Sequence, residues 1–275
     1  MMTASTARLL SVAALLMTAV YLFPLYWMYV TSLKTESGIF ASPPALWPVD
    51  PQWANYPEIW RLSNVGLYLW NSTIIAFGVT ALVVLFGTGA AYVLARYRTI
   101  WIDAALFFVL MMQVLPPSLM ITPIYVGFAW LGLLDTPQTA AILAIAGRSL
   151  PFYIILARAA FLTVPRELEE AALVDGNSRA GAFAMIVMPL ARNGLLVTAL
   201  IIFMQSFGEY VYSTSIIADS RLQPASIGMT RFLQPNIVTW NGIMAFAAMF
   251  VTPIIVAFVL LQRQIVSGLT SGALK

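Results

Sequence analysis

Cysteine and histidine are both missing from the 275 residues, and lysine occurs only as Lys34 and Lys275. Each absence removes a class of chemistry. Without cysteine there is no disulfide and no thiolate metal site. Without histidine there is no Ser-His-Asp site and no His-ligated zinc. Neither lysine ends a GxxxxGK pattern, so the chain carries no P-loop and does not hydrolyse ATP by that route. Charge is scarce as well: 9% of residues are charged, against about 25% in a soluble domain. So few charges cannot cover a globular surface. With 61% hydrophobic residues, most of the chain is expected to face lipid or other buried helices.

What is present is a series of long apolar runs. The first, about residues 9–31, is long enough to cross a hydrocarbon core of about 30 Å. A cleaved signal peptide is the competing reading, but its apolar region is shorter and ends at a small-residue site. This run continues through Tyr21, Phe23, Tyr26 and Trp27 and reads as an uncleaved span with Pro24 as a kink site. Pro43, Pro44, Pro48, Pro51 and Pro57 then preclude a continuous helix, and the Trp-rich connector suits a membrane–water boundary. Further spans are expected over about 68–95, 104–128, 139–161, 194–217 and 242–261. Gly78, Gly87 and Gly89 in the second offer close helix approach. Pro116, Pro117 and Pro123 break the third, and a tail follows over 262–275. The expected fold is all-α: a polytopic membrane protein of six helices, forming a single transmembrane domain over 1–275.

With both termini cytoplasmic, the inside holds Arg8, Arg96, Arg98, Arg158, Arg166, Arg179, Arg192, Arg263 and Lys275. The outside holds Lys34, Arg61, Arg221 and Arg231. That bias orients the bundle by the positive-inside rule. It also places the polar stretch 162–193 in the cytoplasm. This stretch reads as two short helices joined by an elbow. Thr163 is a candidate N-cap before Pro165, Glu167, Glu169 and Glu170 enrich the first turn, and Gly176 is a natural left-handed stop. Ser178 caps a second helix in which Phe183, Ile186 and Val187 share a face, and Pro189 is expected to close it.

The segment EAALVDGNSRAGAFAMIVMP, Glu170 to Pro189, resembles the EAA loop in the membrane subunits of binding-protein-dependent ABC importers. Glu170, Ala171, Ala172, Asp175, Gly176, Ile186 and Pro189 occupy the positions of that pattern. The rest of the chain is similar to the second permease subunit of maltose-type carbohydrate importers. The stretches that carry the likeness include SLKTESGIF (Ser32 to Phe40), LPPSLMITPIY (Leu115 to Tyr125), LGLLDT (Leu131 to Thr136) and GLTSGALK (Gly268 to Lys275). Met188 and Asn193 depart mildly from the pattern. Phe207-Gly208 stand before Glu209 where the family often shows Trp-Asn, so the substrate of the maltose case is not carried over.

The resemblance implies that the EAA residues seat on a cytoplasmic ATPase and couple its closure to the spans. It also implies that Gly268, Leu269 and Thr270 of the tail reach that ATPase. The implied partners are a sister permease, two copies of an ABC ATPase that hold the ATP and Mg, an extracytoplasmic solute-binding protein and the lipid bilayer, with no nucleic acid. No cofactor is expected on this chain, which is expected to be no enzyme, and the implied location is a bacterial inner membrane. Polar residues within the spans are the candidates for the translocation path: Gln113, Arg148, Gln205, Glu209 and Tyr210. Such groups usually face the bundle interior or a cavity, but they also glue helices together. An Arg148–Glu209 ion pair would make both residues structural. The expected cargo is a sugar or sugar-like solute, with a polyol or glycerol phosphodiester as the alternative. A secondary carrier leaves the loop unexplained and would use ion-coupling residues and inverted repeats.

Overall fold

The computed structural model describes residues 4–97, 99–233 and 239–270, and every regular element among them is a helix. In chain order these are α1 (Ala4–Ser32), α2 (Glu36–Ile39), α3 (Asn55–Leu62), α4 (Val65–Arg96), α5 (Ile100–Val114), α6 (Pro117–Trp130) and α7 (Pro137–Leu162). They are followed by α8 (Arg166–Val174), α9 (Arg179–Ala182), α10 (Met188–Phe207), α11 (Val211–Ile216), α12 (Ala225–Gly228) and α13 (Trp240–Thr270). Five continuous helical stretches are long and apolar enough to cross a membrane. The pair α5 and α6, bent by 99° at its break, counts as a sixth where the two are taken as one broken span. The break falls at Leu115-Pro116, where Pro117 begins α6. A residue before proline is pushed out of helical geometry, which explains the position of the bend. Pro24, by contrast, lies inside a continuous α1.

Two expectations need correction. Pro189 does not close the second helix of the polar stretch 162–193. The chain stays helical from Arg179 to Phe207, widening into one π-turn over Phe183–Val187 just before the proline. A wider turn accommodates a residue that has no N–H to donate. The fifth span therefore starts well before residue 194. It also ends early: α10 stops at Phe207, and Gly208, Glu209 and Tyr210 separate it from α11. At the other end of the chain, the first part of the tail is a helical extension of α13 up to Thr270. The side chains of Gly268, Leu269 and Thr270, and residues 271–275, lie outside the described residues.

The chain divides into two compact units. In the unit formed by residues 1–66 and 228–253, the proline-rich connector is pinned by buried polar contacts. Lys34 is buried, donates to the Ala45 carbonyl at 2.5 Å and sits over the Trp27 ring at 4.2 Å. Ser32 Oγ and the Tyr56 hydroxyl share a bond of 2.7 Å, and Asn241 N donates to Glu36 Oε1 at 3.1 Å. Burial pushes the Tyr56 hydroxyl pKa up.

In the unit formed by residues 67–227 and 254–275, α4, α7, α10 and α11 enclose the core around Tyr153, Phe161, Ile202 and Tyr212. Small residues on α7, among them Ala140, Ala141, Ala144 and Ala157, are buried and allow close packing. A Cβ at Gly87 would stand 2.5 Å from the Tyr153 ring, so this glycine sets the approach of α4 to α7. Gly89 faces open space instead. At one end of these helices, Asn71 Nδ2 donates to the carbonyls of Arg221 (2.9 Å) and Gln223 (3.0 Å). Gln138 Nε2 donates to Asn71 Oδ1 and to the Leu222 carbonyl, each at 3.1 Å. In the loop they hold, the Arg221 guanidinium keeps the exposed Asp219 carboxyl below the usual range.

Removing the Asn71 amide would orphan two carbonyls and one amide donor in a largely buried setting, each worth about 1–3 kcal/mol. Asn71→Ala is therefore expected to lower the thermal unfolding midpoint of the detergent-solubilised protein clearly. Gln52→Ala, which removes only a local bond to Asp50, is expected to leave it nearly unchanged.

Candidate functional site

The polar stretch 162–193 is built from α8, an elbow, and α9 running on into α10. The elbow is a Schellman motif: Asn177 N donates to the Ala172 carbonyl at 3.0 Å and Gly176 N to the Leu173 carbonyl at 3.1 Å. It requires Gly176 at φ +89°, with open space around its missing Cβ, so conformation rather than crowding selects glycine here. Ser178 caps α9 as expected, accepting from Gly181 N at 3.1 Å. Thr163 does not cap α8. Its hydroxyl donates back to the Ala160 carbonyl at the end of α7, and Pro165 occupies the N-cap position without a side-chain bond.

What fastens this knob to the bundle is a residue the pattern reading left aside. Glu169 accepts a hydrogen bond from the Tyr92 hydroxyl, and its Oε2 lies 2.5 Å from Arg96 Nε, with only 13% and 9% of the two side chains exposed. This ion contact lacks the alignment of a hydrogen bond, and the attraction is chiefly between charges. Around it, Tyr92, Phe161 and Phe183 pack ring to ring at 4.6–6.1 Å. Neighbouring arginines finish the C-terminus of α4, whose last carbonyls have no partner within the helix. Arg158 Nε donates to the Leu94 carbonyl at 3.0 Å, and Arg166 Nη2 donates to the carbonyls of Arg96 at 2.7 Å and Ala95 at 3.4 Å. Arg96 Nη1 donates to the Phe161 carbonyl at 3.2 Å, and Arg179 Nη1 to the Tyr97 hydroxyl at 2.8 Å. A cavity of 560 Å³ remains between the end of α4 and the knob.

The seven pattern residues fall into two sets. Glu170, Ala171, Asp175, Gly176 and Pro189 are exposed, Glu170 at the rim of the cavity facing α4; Ala172 and, in part, Ile186 turn inward. Glu169 shares a face with Ala172, three residues on. Reading the phase of α8 from its alanines would therefore have picked Glu169 as the inward carboxylate. Arg96, Arg158 and Arg166 entered the sequence reading only as markers of orientation, and their hydrogen bonds to distant carbonyls have no sequence signal.

A second site lies within the spans. Arg148, Gln205, Glu209 and Tyr210 line one cavity of 290 Å³ together with Ser149, Ser206 and Tyr212. Arg148 and Tyr212 also line an adjoining, mostly apolar cavity of 250 Å³. Gln113 lines neither; its amide makes a long 3.4 Å contact to the Arg148 carbonyl. No Arg148–Glu209 ion pair forms among the described residues. Glu209 is instead committed to α11. Its Oε1 accepts from Tyr212 N at 2.7 Å, and its Oε2 accepts from Ser213 N at 3.0 Å and Ser213 Oγ at 2.8 Å. The Glu209 carbonyl accepts from Ser226 Oγ at 2.6 Å. Tyr212 and Ser206 were not foreseen, since an isolated tyrosine or serine in an apolar run carries no pattern.

Comparison with known proteins places these features in context. Residues 84–271 match the family described as the binding-protein-dependent transport system inner membrane component. The sulfoquinovosyl glycerol transport system permease protein SmoH of Agrobacterium fabrum is 31% identical over 92% of this chain and 89% of its own length. The trehalose/maltose transport system permease protein MalG of Thermococcus litoralis is 31% identical over 97% of this chain and 96% of its own. Among solved structures, a bacterial ABC transporter involved in the import of the acidic polysaccharide alginate superposes with a TM-score of 0.77 at 18% identity. That match covers 96% of this chain and 98% of the other and speaks to the fold.

Glu169 and Glu170 are adjacent carboxylates with opposite surroundings, and their substitutions should separate. Glu169→Ala strands a buried guanidinium, a loss of about 3–5 kcal/mol, while Glu170→Ala at an exposed position should stay within about 0.5 kcal/mol. Thermal or denaturant unfolding of the purified protein checks this, and equal effects would show that the knob does not rest on Glu169.

Proposed function

This chain belongs to the inner membrane components of binding-protein-dependent transport systems, and on that premise we propose that it forms half of the path by which a sugar or sugar-like solute is imported. It is a multi-pass membrane permease of an ABC importer and not itself an enzyme; ATP hydrolysis belongs to partner subunits. Support for a sugar cargo comes from relatives whose names specify sulfoquinovosyl glycerol, trehalose/maltose and, at 28% identity in Bacillus subtilis, melibiose, raffinose and stachyose. The assembly we propose pairs this chain with a homologous sister permease in the inner membrane. Two cytoplasmic ABC ATPase subunits carry the ATP and Mg, and a binding protein delivers the solute from the other side. Both termini are cytoplasmic in this arrangement, in keeping with the arginine bias of the loops.

The observation that carries the reading is the rigid elbow between α8 and α9. Glu170, Ala171 and Asp175 stand exposed on it, while Glu169, Arg166 and Phe183 tie it to α4 and α7. Ala171 lets a partner surface come close, and Glu170 offers it a charge to pair with. Closure of the ATPase dimer displaces the knob, and the inner ties pass that displacement to α4 and α7. The spans then exchange inward-facing for outward-facing packing. Arg148, Gln205, Glu209 and Tyr210 border the path, with Gln113 behind Arg148, and the helical extension bearing Gly268, Leu269 and Thr270 reaches toward the ATPase.

Glu170→Ala and Gly176→Val are expected to retain assembly with the ATPase in a pull-down while uptake falls at least tenfold relative to ATP hydrolysis. Uptake into proteoliposomes at the unmodified rate in both variants would overturn the coupling role.

A further inference from the structure

The Arg148 guanidinium and the Glu209 carboxylate share a cavity yet do not neutralise one another. Arg148 lies near the middle of α7 and is exposed to that cavity, where the Tyr212 side chain interacts with it. A cation at that depth of a bilayer is costly, and it persists when it faces water or a partner anion. The obvious anion is already engaged elsewhere: Glu209 Oε1 accepts from Tyr212 N, and Oε2 accepts from Ser213 N and Ser213 Oγ. The same cavity wall holds the Ser206 hydroxyl, 3% exposed as a residue and without a hydrogen-bond partner, and the exposed Gln205 amide. One cation without a carboxylate partner, one unused hydroxyl and one open amide form a donor-rich lining on a space of 290 Å³.

We propose that the cavity between the middle of α7 and the α10–α11 break is an anion-selective site, so that the solute crossing this half of the path carries a carboxylate, sulfonate or phosphate beside its hydroxyls. This rests on the path assignment above and gives it a chemical class. Arg148 pairs with the acidic group, Ser206 and Gln205 take hydroxyl or acid oxygens, and the apolar cavity on the far side of Arg148 and Tyr212 accepts the C–H face of the solute. Glu209 acts as a positioning residue that fixes α11, and with it Tyr212, against the cavity.

Because the chain has no cysteine, a Gln205→Cys thiol is the only one this subunit carries, and its labelling is read on this subunit after it is separated from its partners. In the complete importer, nucleotide-free and vanadate-trapped, its reaction rates with a sulfonatoethyl and a trimethylammonioethyl methanethiosulfonate are measured relative to free 2-mercaptoethanol. The anionic reagent is expected to be favoured by about tenfold, the scale of one unit charge nearby in a partly screened site. The preference is expected to vanish with Arg148→Gln and survive with Arg148→Lys. No preference, a cation preference, or a preference that Arg148→Gln leaves intact would overturn the anion assignment while the path stands. A thiol that reacts with neither reagent in either state would instead overturn the path assignment beneath it.

Discussion

The buried contact of Glu169 with Arg96 and Tyr92 is the interaction on which the knob end of this unit depends. Two charges almost free of solvent are stable together and poor apart, so the knob and the end of α4 are kept in one arrangement. The surrounding bonds point the same way. Arg158 and Arg166 close the open carbonyls of α4, and the Tyr92, Phe161 and Phe183 rings fill the space between α4, α7 and the π-turn. The exposed residues of the knob are thus distinct from those that hold it. Adjacent positions on α8 differ in burial: Glu169 is tied to α4, while Glu170 is exposed at the rim of the cavity.

The membrane imposes the second constraint. A helix interrupted at bilayer depth leaves backbone donors and acceptors that lipid cannot satisfy. The interruption at Gly208–Tyr210 is tolerable because Glu209 accepts from the first free N–H groups of α11 and because its own carbonyl is taken by Ser226. The acidic residue that looked like a charge for the path is in this way consumed by the break. Arg148 is left facing the cavity, and the electrostatic character of the site follows from that division.

Much of the architecture was legible in the residues. Six apolar runs, the proline break in the third, the glycine elbow and the Ser178 cap all follow from local rules of length, backbone conformation and capping. What was not legible depends on which side of a helix faces inward. The alanines of α8 carried enough phase to single out Glu169. The end of the fifth span was hidden because Gly208 and Glu209 sit between two apolar runs without saying whether the helix stops or merely carries polar residues, and the π-turn at Phe183–Val187 was hidden because proline alone does not say whether a helix stops or widens. The arginine ties needed the fold, since Arg166 and the carbonyl of Arg96 are seventy residues apart.

If the knob and α4 move as one body, their separation must be constant while the importer cycles. Spin labels at Val93→Cys and Ala180→Cys, both lining the cavity between α4 and the knob, give that distance in the complete importer by pulsed electron resonance. The account predicts the same distance in the nucleotide-free and vanadate-trapped states. A shift of several ångströms between those states would contradict it, because the knob would then be sliding past α4 instead of carrying it.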